Sequence, residues 1–85
     1  MMGSDNNQLY GTIRAAREVG ISIRQLYHWV DTLGIVSPRI RQHGIRKFRR
    51  FTAHDLEILE NVRKLLERGY TLRAAAEIAR GKRSP

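Results

Sequence analysis

Cysteine is absent from this 85-residue chain, so neither a disulfide framework nor a zinc site built on thiolates is available to it. The absence is compatible with a cytoplasmic location. No apolar run approaches the roughly 18 residues that would suggest a membrane span. The opening stretch, Met1 to Gln8, lacks the apolar core of a signal peptide, and residues 1–9 read as a disordered leader. Acidic residues are missing from one long segment: none occurs between Thr32 and Thr52. Also lacking are a Ser-His-acid arrangement, paired carboxylates in an apolar setting and a Gly-rich phosphate loop. His28, His43 and His54 have no metal-ligand spacing. The chain is therefore expected to be no enzyme and to hold no cofactor or metal.

What is present is positive charge. Sixteen Lys and Arg against eight Asp and Glu give a formal net charge of +8 and a pI near 11.1. A chain this basic expects a polyanionic partner, nucleic acid first, with an anionic membrane surface or an acidic protein as the other candidates. The charge is concentrated: Arg39, Arg41, Arg46, Lys47, Arg49 and Arg50 fall within the acid-free segment. A solvated basic loop is the plainer reading, but such a cluster repels itself unless something offsets it.

The length fits one domain, in which about 60% of the unfolded chain's surface is buried and the core is thin. That leaves little room for a substrate pocket. The predicted domain spans residues 10–81, with residues 82–85 as a disordered tail. Its fold class is mainly α, with four helices. Thr12 is a candidate N-cap for Ile13 to Val19, and Gly20 suits the stop. Ser22 caps a second helix running from Ile23 to about Leu33, before Gly34. Thr52 opens a third with Asp55 three positions on, a variant of the capping box, and Thr71 opens a fourth from Leu72 to about Arg80.

The faces follow the helical period. Ile13, Ala16 and Val19 are expected inside from the first helix. Ile23, Leu26, Trp29, Val30 and Leu33 come from the second, which leaves Arg24, Gln25, His28, Asp31 and Thr32 outside and Tyr27 at the boundary. Leu56, Leu59, Val62 and Leu66, with Ile58 and Leu65, stripe the third. This stripe is too short and wide for a coiled-coil seam and reads as core. Leu72, Ala75, Ala76, Ile78 and Ala79 do the same for the fourth. Arg39 to Phe51 shows no such period. It alternates on either side of His43-Gly44 and reads as a β-hairpin with a basic exposed side.

Two short helices joined by Gly20-Ile21-Ser22 form a helix-turn-helix, whose second helix suits the DNA major groove. Arg24, Gln25 and His28 would then reach base edges, with Tyr27 at the edge. Arg suits guanine and Gln suits adenine. The basic hairpin that follows is a wing, with its cations along phosphates. Tyr10 and Thr12, at the start of the first helix, are expected near phosphate as well. The predicted architecture is a winged helix-turn-helix, with the hairpin between helices two and three. The candidate DNA-binding residues are Thr12, Arg24, Gln25, Tyr27, His28, Arg39, Arg41, Arg46, Lys47, Arg49 and Arg50.

The ordered set Thr12-Ile13, Gly20-Ile21-Ser22-Ile23-Arg24-Gln25-Leu26, Trp29, Leu33-Gly34-Ile35-Val36 and Pro38 resembles the N-terminal domain of MerR-type transcriptional regulators. Arg49-Arg50-Phe51-Thr52 with Asp55-Leu56 resembles that family's segment after the wing, and Gly69-Tyr70-Thr71-Leu72 its entry into the next helix. The resemblance covers about residues 10 to 80. It implies a winged helix-turn-helix that binds promoter DNA as a dimer and alters its form in response to an effector. The chain departs from the family at Tyr27-His28-Trp29-Val30, where members carry Arg-Tyr-Tyr/Trp-Glu. The wing is slightly longer, and members continue after the fourth helix into a dimerising helix and sensor domain. The family's metal sensing relies on cysteines.

The expectation is thus a sequence-specific double-stranded DNA-binding domain of a transcriptional regulator, cytoplasmic and nucleoid-associated. As this chain it is expected to be a monomer or weak dimer, and a dimer if a longer natural chain exists. Two alternatives stand beside it. One is an interaction module whose basic face docks an acidic regulatory protein, antirepressor-like. The other is an excisionase-like architectural DNA-binding factor.

Overall fold

The computed structural model describes residues 8–81. The expectations for the rest of the leader and for the tail lie outside those residues. Leu9, assigned to the leader from sequence, is ordered. With Tyr10 it forms strand β1 (Leu9–Tyr10), followed by α1 (Thr12–Val19), α2 (Ile23–Tyr27), β2 (Arg39–His43), β3 (Arg46–Thr52), α3 (Ala53–Glu67) and α4 (Leu72–Ala79). The three strands form an antiparallel sheet in the order β1-β3-β2. Leu9 pairs with Thr52 and Tyr10 with Phe51. A strand this short shows no periodicity of its own, and β3 supplies its pairing.

Three of the four expected helix starts form as read. Ser22 and Gln25 make a reciprocal capping box: the Gln25 amide donates to Ser22 Oγ at 3.0 Å, and the Ser22 amide to Gln25 Oε1 at 3.2 Å. Thr52 and Asp55 do the same at 3.0 Å each. Thr71 Oγ1 accepts from the Ala74 amide at 3.1 Å. The first helix differs, because its N-cap is Gly11 and Thr12 is already helical, with no side-chain cap bond. Gly11 is tightly flanked: a Cβ there would lie 3.2 Å from Arg50 Nη1.

The box at the head of α3 carries a measurable share of the stability. Thr52→Ala is expected to cost about 1 kcal/mol, seen as a fall of about 4–8 °C in thermal midpoint. An unchanged midpoint would mean that β3 alone positions the helix.

The second helix is not α-helical throughout. After Tyr27 it widens into a π-helical turn over His28–Thr32, closed by the Leu33 amide donating to the His28 carbonyl at 3.1 Å. The extra residue in that turn moves the following positions off the expected stripe. Leu33 is therefore exposed, and Ile35 and Val36 enter the core in its place. Trp29 is buried, as its position on the apolar face foretold.

The core gathers Ala15, Ala16 and Val19 of α1 with Leu26, Trp29 and Val30 of the second helix. Phe51, Leu59, Val62, Ala75 and Ala76 complete it with Ile35 and Val36. Ile13 is 64% exposed, and Ala15 takes the inward position expected for it. Ile23 and Ile78 also face outward. The joint between α1 and α2 is held from a distance, since Arg63 Nε of α3 donates to the Val19 carbonyl at 2.6 Å. Gly20 turns beside that guanidinium with φ +87°, and a Cβ there would lie 3.3 Å from Arg63 Nε.

Candidate nucleic-acid interface

The hairpin turns on two residues, Gly44 and Ile45, between the paired His43 and Arg46. Gly44 has φ +66°, the positive value that a glycine-first hairpin turn requires and that glycine adopts without a Cβ clash. Gln42 Nε2 donates to the Gly44 carbonyl at 3.1 Å and braces the tip.

The register sorts the wing's side chains. Arg39, Arg41 and His43 stand opposite Arg50, Phe48 and Arg46, while Ile40 and Gln42 stand opposite Arg49 and Lys47. Opposed residues share a face, so cations occupy both faces rather than the single basic side expected from sequence. This is possible because the outer part of the hairpin is free of the core: all of β2 is exposed, as are Arg46 and Lys47. On one face the Arg46 and Arg50 guanidinium groups lie 5.6 and 5.4 Å from the Phe48 ring centroid, within cation–π range.

Where β3 approaches the helices, a trough of about 490 Å³ opens. Gly11, Thr12, Ile13 and Arg14 border it from the start of α1, Ile23 and Tyr27 from α2, and Lys47 to Arg50 from the strand. Its lining combines apolar side chains with four cations and contains no acid. Ile13 and Ile23, assigned to the core from sequence, line this trough. Arg14, which the sequence did not single out, rests over the Tyr10 ring at 5.0 Å.

The candidate residues are brought together unevenly. Thr12, Tyr27, Lys47, Arg49 and Arg50 line the trough. Arg24, Gln25 and His28 are exposed on the second helix. Arg39, Arg41 and Arg46 stand on the wing. Gln25 is partly committed, because its Oε1 accepts from the Ser22 amide in the capping box. Tyr10 lies elsewhere, in a depression shared with Glu18, Glu57 and Glu60. The β1–β3 pairing carries it there.

Arg49 is the most constrained of the set. Its Nη2 donates to Asp31 Oδ2 at 2.7 Å, and its guanidinium lies 5.0 Å from the Tyr27 ring centroid. Asp31 reads from sequence as an ordinary outward-facing residue, and nothing local marks it as a partner of a residue 18 positions away. Among the described residues no group of three or more His, Cys, Asp or Glu is placed to hold a metal ion, and no helix is long and apolar enough to cross a membrane.

Comparison with known proteins agrees with this geometry. The model of the MerR HTH family regulatory protein matches residues 13–82. Among solved structures the chain is similar to HiNmlR, a MerR family regulator lacking the sensor domain, solved bound to promoter DNA. The two are 30% identical with a TM-score of 0.65, over 85% of this chain and 52% of HiNmlR. The chain thus spans about half the length of that relative. No curated protein matches.

Proposed function

Since this chain belongs to the MerR family of helix-turn-helix regulatory proteins, we propose that it is a sequence-specific double-stranded DNA-binding domain acting in transcription control, on nucleoid DNA in the cytoplasm. It works by binding rather than by catalysis. The observation that carries the reading is the trough: a concave surface with an apolar lining, four cations and no acid, set between the second helix and a basic wing. A nucleic-acid backbone alternates sugars and phosphates, and such a lining suits both. HiNmlR, of similar fold, was solved on promoter DNA.

In this arrangement the second helix enters the major groove. Arg24, with no acidic partner among the described residues, is the principal base reader through a bidentate contact to guanine. His28 and the free amide nitrogen of Gln25 assist it. Arg39, Arg41, Arg46, Lys47 and Arg50 serve the phosphates, and Thr12 and Tyr27 border the backbone path.

Fluorescence anisotropy with a random duplex, followed by selection from a randomised library, tests the reading directly. Salt-sensitive binding with an enriched motif supports it, and no binding to any duplex at low salt removes it. Roles then separate by substitution. Arg24→Ala is expected to lose about 1–3 kcal/mol of discrimination between selected and random DNA, while Lys47→Ala weakens both alike. The reverse pattern would exchange reader and anchor.

The same surface is complementary to an acidic protein, so a DNA-mimicking regulator that competes with the duplex is the second reading. An excisionase-like architectural role would appear instead as selection of recombination sites rather than promoters.

A further inference from the structure

The wing and the second helix approach DNA as two separate elements, and their relative angle decides whether both are seated at once. One contact spans them. Arg49, on β3, pairs with Asp31 of the π-helical turn at 2.7 Å and stacks 5.0 Å from the ring centroid of Tyr27, at the end of α2. Resting on the DNA-binding reading, we infer that Tyr27, Asp31 and Arg49 form a clasp that sets the wing's angle on the recognition helix. Asp31 is a positioning residue, and Arg49 is withheld from phosphate.

Three observations converge on this assignment. The first is placement. Arg49 precedes Phe51 by two residues on the same strand face, and Phe51 is fully buried. Arg49 therefore sits where the wing leaves the core, and beyond it Arg39 to Lys47 are all exposed. A small change of angle here is magnified at the tip.

The second is chemistry. The N···O distance of 2.7 Å lies in the short range of charge-assisted hydrogen bonds. A planar guanidinium can stack on the tyrosine while bonding the carboxylate, which a lysine ammonium cannot reproduce. Tyr27 and Asp31, four residues apart, present ring and carboxylate to one guanidinium.

The third is charge. Asp31 is a carboxylate beside a surface read as approaching phosphates, where an unpaired acid is repelled. The two side chains remain 33% and 45% exposed, and a pair that accessible adds little to folding. Fold stability therefore does not account for the contact, and alignment of two DNA-reading elements does.

D31N, R49K and the double variant are to be compared with the unaltered chain on its selected duplex, by anisotropy across salt and by hydroxyl-radical footprinting. The unaltered chain is measured first. If it binds no duplex, the DNA-binding reading fails and takes this inference with it, before any variant is compared. Each single variant is expected to bind about tenfold more weakly, with no further loss in the double variant because the two act as one coupled unit. The salt slope should stay unchanged. Protection under the wing should be lost, while protection opposite α2 persists and the melting midpoint holds.

Tighter binding by D31N, with a slope steeper by about 0.9, would show Arg49 to be a phosphate ligand masked by Asp31 and would overturn the clasp. Unchanged affinity, or losses that simply add, would overturn it too. R49K keeps the positive charge, so its footprint decides between angle and charge even if D31N melts early.

Discussion

Phe51→Ala is expected to abolish the folded state over most of the temperature range in which the unaltered chain is stable. Phe51 is fully buried and is the largest of the fully buried side chains. It lies at the end of β3, pairs with Tyr10 and immediately precedes the Thr52 cap of α3. Removing a buried phenylalanine costs about 3–5 kcal/mol. A thin core of this size supplies about as much net stability in total. At about 4–8 °C per kcal/mol, the midpoint should fall by tens of degrees, and circular dichroism during heating reads this directly. A fall of only a few degrees would mean that the core closes without its central ring, and that the wing is not anchored through Phe51.

The second large effect is electrostatic. With Arg49 held in the clasp, five wing cations remain for phosphates: Arg39, Arg41, Arg46, Lys47 and Arg50. Releasing about five counterions gives a slope of about −4 to −5 for log K against log salt. Raising salt from about 50 to about 200 mM should then weaken binding by about 500-fold. Anisotropy titrations with one duplex at several salt concentrations measure the slope. A value near zero would remove the wing from the backbone, leaving the charge cluster without the partner proposed for it. Because counterion release is indifferent to sequence, random and selected duplexes should share the slope while differing in affinity.

Much of the architecture is local and was legible. Ser22, Thr52 and Thr71 each cap the helix that follows, because the hydroxyl and the amides it satisfies lie within three residues of one another. The hairpin was legible for a similar reason: a two-residue turn starting at glycine specifies the pairing on either side. Trp29 was placed in the core by helical spacing alone. The candidate site was legible as a charge cluster beside a helix-turn-helix, since both features lie in consecutive residues.

The failures share another cause. Ile13 and Ile23 satisfy an amphipathic pattern but line the trough, where apolar surface serves the interface instead of the core. Gly11 displaced Thr12 as the first cap. β1 exists only because β3 offers it an edge. The π-helical turn reassigned Leu33 to solvent and brought in Ile35 and Val36.

The sequence by itself therefore determined the helix boundaries, the turn chemistry, the fold class and the family, because each rests on interactions between near neighbours in the chain. Tertiary structure alone decided which cations remain available. Gln25 is partly taken by its cap, and Arg49 by an acid 18 residues away. A charge count cannot anticipate such pairings, because they depend on where β3 crosses the second helix, and that crossing is set by the packing of Phe51 in the common core.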